Sequence, residues 1–315
     1  MKLAELVNHY LQFKQDLGMR FGAEGRHLRA FAKALGDVDI AEVDRQEVLR
    51  YLNGKGPLTT FWHRKFEVLT GFYRFAIGRN FVAHNPLPTM IPKRPLPFVP
   101  YIYTPDEIRA LLDGVTKACS HQRCPIDEGT FRALLLLLWG TGMRLSEALH
   151  IAVADVDLSS SLLTIRDTKF FKTRLVPIDP RLSQELIKYA KNRTNNPSLS
   201  EDGVLLFFTT RQGVALSRTS VERYFRRLCN SVGVVRQDGA RYQPRLHDLR
   251  HSFATDRILS WYQAGVDVQR LLPCLSTYLG HGTLAATQRY LTATPEVLRE
   301  ASIRFERYAL EVEHD

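Results

Sequence analysis

His247-Asp248-Leu249-Arg250, then Leu279-Gly280-His281, then Tyr290: on this run the reading of the chain turns. His247 and Arg250 lie three residues apart, so a helix would place both on one face. A tyrosine following a His-x-x-Arg pair and a second histidine points to a phenolic nucleophile aimed at a phosphate that cations already hold. A phosphodiester repels nucleophiles and gathers charge on its non-bridging oxygens in the transition state, so preorganised cationic donors are the largest lever for cleaving it. Arginine serves this best, because its planar fork binds two oxygens and stays protonated. The tyrosine, with a pKa of about 10 in isolation, must lose its proton in attacking, and the leaving 5′-oxygen must gain one from a general acid.

Candidates for those roles occur upstream. Gly140-Thr141-Gly142-Met143-Arg144-Leu145-Ser146-Glu147 places an arginine after a double-glycine turn that is expected to open a helix, with free N–H groups at its start. Lys169 falls in a basic turn, where a mobile ammonium could reach a leaving oxygen. Tyr290 is expected late in a helix capped by Thr283. Each residue has a plainer explanation. Gly-x-Gly is usually only a turn, hairpin lysines are usually solvated, Leu-Gly-His is a common helix end, and a single tyrosine is usually core. The ordered combination carries the inference.

The remaining numbers set bounds. With 315 residues, 44% hydrophobic and 24% charged, the chain can build two ordinary globular domains. No run of about 18 apolar residues exists, and Met1-Lys2-Leu3-Ala4-Glu5-Leu6 lacks the apolar segment of a secretory signal, so the expectation is a cytoplasmic protein without a membrane anchor. A net charge of +10, from 43 basic and 33 acidic residues, permits a polyanionic partner without demanding one. Cys119, Cys124, Cys229 and Cys274 are too few for a disulfide framework. Cys119 to Cys124 lacks the second ligand pair that a closed zinc site needs. Neither metal nor cofactor is expected.

Residues 1–90 read as successive helices. Leu3, Leu6, Val7, Tyr10 and Leu11 recur at helical spacing; Asp44 with Glu47 forms a capping box; Phe61, Lys65, Val68, Leu69, Phe72, Phe75 and Ala76 mark a long fourth helix. Arg26, Arg29, Lys33, Arg64, Lys65, Arg74 and Arg79 are expected on outer faces. Residues 91–103 are proline-rich, an extended and fairly stiff connector whose Lys93-Arg94 would suit a phosphate backbone. The second domain, 104–315, opens with Thr104 as N-cap, Pro105 and Glu107. Leu162–Arg166 and Arg174–Ile178 form a predicted hairpin around the basic turn Asp167–Thr173. Helices are predicted after Asp179-Pro180, from Thr219 with Glu222, and from His247, with turns at Gly213 and Gly233. The tail after Thr294-Pro295 carries Leu298, Ala301, Phe305 and Tyr308 as a stripe that folds on its own core or docks on a neighbouring protomer. The fold class is therefore mainly α, with a small antiparallel β-sheet in the second domain.

Residues 104 to 295 resemble the catalytic domain of the tyrosine recombinase, or phage integrase, family, and the helical N-terminal domain resembles, more loosely, that family's core-binding (SAM-like) domain. The match rests on Thr141–Glu147, on Lys169 ahead of Lys172-Thr173-Arg174-Leu175-Val176-Pro177, on His247–Thr255, on Leu279-Gly280-His281, and on the nine-residue step to Tyr290. The resemblance implies that Arg144 and Arg250 clamp the scissile phosphate while His247 and His281 hydrogen-bond it. It implies that Lys169 protonates the 5′-oxygen, with Lys172 as competitor, that Glu147 supports the site from behind, and that Tyr290 becomes joined to the 3′-phosphate. Lys93, Arg94, Lys172 and Arg174 are the expected DNA contacts. The segment Gln269–Tyr278, longer than usual, and Gln288–Thr292 resemble transposon integrases, and no arm-binding domain is evident at the N-terminus.

The resemblance further implies double-stranded DNA as partner, clamped between two domains, and a homo-tetramer on paired sites, possible help from other recombinases, and a nucleoid-associated bacterial setting. Two other readings stand beside recombination. One is a type IB topoisomerase-like relaxing enzyme with the same phosphotyrosine step. The other is a DNA-binding accessory protein that keeps the fold and does not cut, although such a protein has no need of the full set from Arg144 to Tyr290.

Overall fold

The computed structural model describes residues 1–95, 98–120, 124–166, 173–193, 203–240, 242–292 and 294–312, the last without side chains from 307 onward. The chain divides into two units, Met1–Phe98 and Val99–Asp315, and the boundary falls inside the proline-rich stretch.

The first unit is helical: α1 (Leu3–Asp16), α2 (Gly22–Leu35), α3 (Arg45–Asn53) and α4 (Thr60–Gly78). The Asp44–Glu47 capping box starts α3 as the sequence predicts, with the Asp44 carboxylate accepting from the Glu47 amide at 2.8 Å. The apolar stripe of α1 meets the aromatic face of α4, with Tyr10 and Phe72 edge to face at 5.7 Å. Lys65 corrects the expectation of an outer-face charge. It is buried, and its ammonium donates to the carbonyls of Tyr51 and Leu52, the latter at 2.7 Å, at the C-terminal end of α3. Helix ends leave carbonyls without intrahelical partners and favour cations, which explains a lysine drawn inward there.

The second unit contains α5 (Pro105–Cys119), α6 (Glu128–Thr141), α7 (Leu145–Leu149), strands β1 (Val156–Asp157), β2 (Leu162–Ile165) and β3 (Arg174–Pro177), then α8 (Pro180–Asn192) and α9 (Arg218–Ser231). It continues with α10 (Asp248–Gln263), α11 (Val268–Leu279), α12 (Ala285–Gln288), a 3₁₀ turn Arg289–Thr292, and α13 (Pro295–Val312). The apolar α6 forms the centre, with α5, α8 and α10 packed around it. The sheet is antiparallel in the order β1-β2-β3, with Leu162 opposite Pro177 and Ile165 opposite Arg174. The hairpin matches its prediction, while β1 is an addition too short to leave a periodic signal. Side chains alternate along a strand, so Arg174 shares the inward face of the buried Val176, and Leu175 faces solvent.

Several local expectations are corrected. Gly140 lies inside α6, and only Gly142 makes the turn, in the left-handed conformation with φ of 60°. Ser217 caps α9 by accepting from the Ser220 amide at 3.2 Å, displacing the predicted start at Thr219. Thr283 caps nothing: α12 starts after Leu284, and Tyr290 sits in the 3₁₀ turn beyond it. The stretch before His281 is one helix, α11, that accommodates Pro273. In the tail, Val297 inserts into the core while Leu298 and Phe305 of the predicted stripe face outward; the Tyr308 side chain lies outside the described residues. Residues 99–103 are bound into the second unit, because the Tyr103 amide donates to Ser252 Oγ at 2.8 Å and its hydroxyl to the Arg245 carbonyl at 3.0 Å. No helix among the described residues is long and apolar enough to cross a membrane.

Removing the Lys65 ammonium strands two buried carbonyls. Lys65→Ala is expected to destabilise the first unit by about 1–3 kcal/mol, read as a lowered urea midpoint of the full chain followed by tryptophan fluorescence, with Trp62 on the same helix as reporter.

Candidate active site

Arg144 follows the Gly142 turn and stands at the N-cap of α7, so Glu147, three residues on, faces it. The Glu147 carboxylate accepts from the Arg144 amide at 2.9 Å and from its guanidinium at 2.7 Å. It also accepts two bonds from the Arg174 guanidinium, at 3.1 and 2.7 Å. Burial alone raises the pKa of the Glu147 carboxyl, but the bonds and charge of Arg174, then Arg144, outweigh it and hold the group below its ordinary value. Glu147 is ionised and pairs two arginines at once.

Those arginines and Arg250 converge on the C-terminal end of α11. Arg174 Nε donates to the Tyr278 carbonyl at 2.9 Å, Arg250 Nη2 to that of Leu279 at 2.8 Å, and Arg144 Nη2 to that of Gly280 at 2.7 Å. Arg250 also donates to the Gly142 carbonyl at 2.8 Å, tying both glycine turns together. Gly280 must be glycine twice over. Its φ is +67°, and a Cβ would stand 2.7 Å from Arg174 Nη1.

Exposure separates the roles. The Arg174 side chain is 8% exposed, and its fork is occupied by Glu147 and the Tyr278 carbonyl, so in this structure it braces the cluster from within. Arg144 is 29% exposed and can offer an edge to an incoming anion. Arg250 is buried; burial and the charge of Arg144 push its pKa down to about 10, which still leaves it protonated at neutral pH. Arg94 of the first unit is exposed and pairs with Glu67 at 2.7 Å, and Lys93 lies beside it in sequence. Lys169 and Lys172 fall outside the described residues.

The histidines and the tyrosine complete the cluster. His247 directly precedes α10 and keeps an exposed surface; the surrounding protein and the charges of Arg250 and Arg245 push it down to about 4. His281 follows Gly280 and shares a 2.7 Å hydrogen bond from Nδ1 with Thr287 Oγ1; burial and Arg250 push it down to about 3. Its ring stacks on Tyr290 at 6.2 Å between centroids. Tyr290 itself is 2% exposed, and burial raises its pKa more than Arg250 and Arg289 lower it, so the phenol is protonated. The fold therefore gathers Arg144, Glu147, His247, Arg250, His281 and Tyr290 from four separate chain segments.

Sequence reasoning passed over His251 as a site residue. Its buried ring lies between those of His247, 5.1 Å away, and Tyr290, 5.6 Å away. The signal was present, since His247 and His251 stand four apart on one helical face.

Comparison with known proteins places the chain in a family. The model of the phage integrase family matches residues 102–296. A putative integrase/recombinase of Sinorhizobium fredii is 34% identical over 96% of both chains. The tyrosine recombinase XerA of Pyrococcus furiosus is 28% identical over 82% of this chain and 78% of its own. Among solved structures, the Tn1549 transposon integrase in complex with transposon right end DNA superposes with a TM-score of 0.71 at 18% identity, covering 98% of this chain and 100% of that one. Lambda integrase bound to a core site superposes with a TM-score of 0.65 at 17% identity, covering 91% and 97%. At such identities the two structures speak to the fold.

Two measurements test the electrostatics. The folded pKa of Glu147 lies below its ordinary value of 4.5, so its stabilisation is complete above that pH and is lost as pH falls through the depressed value. Glu147→Gln is expected to have a lower thermal midpoint at neutral pH and a flatter decline on acidification than the parent. In the free protein the His247 and His281 imidazole NMR signals are expected to hold still from about pH 8 down to about pH 5. Bound site DNA is expected to move both midpoints upward, because a phosphate favours the charged ring.

Proposed function

The chain belongs to the phage integrase family and is a tyrosine-type site-specific recombinase, and we propose that it cuts and rejoins DNA for a mobile element through a 3′-phosphotyrosyl intermediate. The observation that carries this reading is the convergence of Arg144, Arg250 and His281 on the single turn after α11, beside Tyr290.

The proposed chemistry follows from those positions. A scissile phosphate enters at the exposed edge of Arg144, and Arg250 supplies the deeper charge. Neutral His247 and His281 hydrogen-bond the phosphoryl oxygens, and the unprotonated nitrogen of one of these rings accepts the phenol proton. The Tyr290 oxygen bonds to phosphorus as the bond from phosphorus to the 5′-oxygen breaks, and Lys169 delivers a proton to that oxygen. The phosphodiester is exchanged for a phosphotyrosyl ester of similar energy, so a 5′-hydroxyl from another strand reverses the step without ATP or metal. Strand exchange calls for two sites held together, and we assign the working form as a homo-tetramer on paired sites. The outward Leu298 and Phe305 of α13 are apolar surface suited to contacts between protomers. The basic outer faces of the first unit are assigned to the core DNA site, with Lys93 and Arg94 on its phosphates.

A nicked suicide substrate carrying the element's end tests this directly. The parent protein is expected to form a covalent adduct that survives denaturant, with and without a chelator, and Tyr290→Phe none. Arg144→Ala is expected to slow adduct formation by about 10²–10³-fold, the range for removing one charge-stabilising donor. An adduct in Tyr290→Phe, or cleavage abolished by the chelator, would sink the mechanism.

A further inference from the structure

His251 and Thr255 stand one turn apart on α10, and each buries a polar atom with no hydrogen-bond partner among the described residues: Nδ1 of His251 and Oγ1 of Thr255. Both residues are almost wholly enclosed. A buried polar atom left unpaired costs stability that an apolar group of the same shape would not. On packing alone, phenylalanine at 251 and valine at 255 would serve this core better. Two such atoms one turn apart on a helix, the first on a ring that touches Tyr290, ask for a state in which they are satisfied.

Their spacing supplies it. Side chains four apart on a helix are neighbours, with Cβ atoms about 5–6 Å apart, so a rotation of either brings Nδ1 and Oγ1 within bonding distance. Such a rotation cannot be private to the pair. The His251 ring meets His247 edge to face, at 89° and 5.1 Å, and Tyr290 at 57° and 5.6 Å. Tyr290 is almost wholly enclosed in this state, and its ring rests against that of His251. A shift of Tyr290 toward an incoming phosphate would loosen the contact that holds the His251 ring.

We propose that His251 and Thr255 are a pair of positioning residues whose latent hydrogen bond closes as Tyr290 moves to the phosphate, turning the His251 ring so that it supports both Tyr290 and His247 in the attacking arrangement. The bond offsets part of the cost of withdrawing Tyr290 from its packed place. This inference rests on the assignment of Tyr290 as nucleophile.

The test compares the full-length parent with His251→Phe, Thr255→Val, the double variant and Thr255→Ser, under single turnover on the nicked substrate. Because the paired state is absent in the free protein, His251→Phe and Thr255→Val are expected to keep or raise the thermal midpoint and to bind uncleaved site DNA within about twofold of the parent. Each is expected to slow adduct formation about tenfold, the rate equivalent of one neutral hydrogen bond. The double variant is expected to be no slower than the slower single variant, since one bond cannot be lost twice, and Thr255→Ser, which keeps the hydroxyl, to run close to the parent. Parental rates in both single variants, losses that multiply in the double variant, or losses that track thermal midpoint or DNA affinity overturn the proposal. A parent that forms no adduct, or an adduct persisting in Tyr290→Phe, instead overturns the nucleophile assignment and this inference with it.

Discussion

Three arginines from three elements cap one helix end: Arg174 on the carbonyl of Tyr278, Arg250 on that of Leu279, Arg144 on that of Gly280. The last carbonyls of a helix have no intrahelical donors and carry partial negative charge. They accept the arginines but cannot neutralise three cations packed together. Glu147 removes part of the repulsion by pairing with Arg144 and Arg174, and burial, followed by the remaining charge of Arg144, still holds the pKa of Arg250 below its ordinary value. The residual field is positive and preorganised. A phosphate entering it need not gather its ligands, because the protein has already met the cost of holding them in place.

That helix end also fixes where everything else can be. Gly142 and Gly280, both with positive φ, bring their turns within reach of the same guanidinium groups. A Cβ on Gly142 would stand 2.6 Å from the Phe253 ring, so the turn that aims Arg144 is set by close contact with α10 as well as by its own backbone. Downstream of Gly280, the chain has only α12 and a 3₁₀ turn before Tyr290. Tyr290, the proposed nucleophile, is thus carried by the segment whose root the arginines hold. The proposed phosphate-binding groups and nucleophile share one mechanical reference.

Much of this was legible from residue order. The His-x-x-Arg pair, the Leu-Gly-His turn, the Asp44 and Thr104 capping boxes and the hairpin each depend on spacing of a few residues, which sequence displays. What escaped it depends on partners distant in the chain. Arg174 looks like any surface cation in a basic turn; only the register of β3 and the placement of Glu147 make it an interior buttress. Lys65 reads as an outer-face charge until α3 is seen to end against it. Tyr290 was expected in a regular helix, yet α12 yields to a 3₁₀ turn at Arg289. His251 shows in the sequence only as a histidine four residues after His247, and its contacts with His247 and Tyr290 come from the fold.

The protonation pattern bears on how the proposed nucleophile would be activated. Burial raises the phenol of Tyr290 while Arg250 and Arg289 lower it, and burial wins in the free protein. A phosphate arriving at Arg144 and Arg250 offsets part of the positive charge that was helping the phenol ionise. Ionisation ahead of attack is therefore disfavoured both before and after the substrate binds. In the proposed reaction the proton leaves as the oxygen–phosphorus bond forms, when negative charge moves from the phenol onto phosphoryl oxygens facing arginine. With His247 and His281 held neutral by burial and neighbouring cations, each ring has one nitrogen free of a proton. Burial, reinforced by the arginines proposed to bind the phosphate, is thus what keeps the adjoining imidazoles able to accept a hydrogen bond.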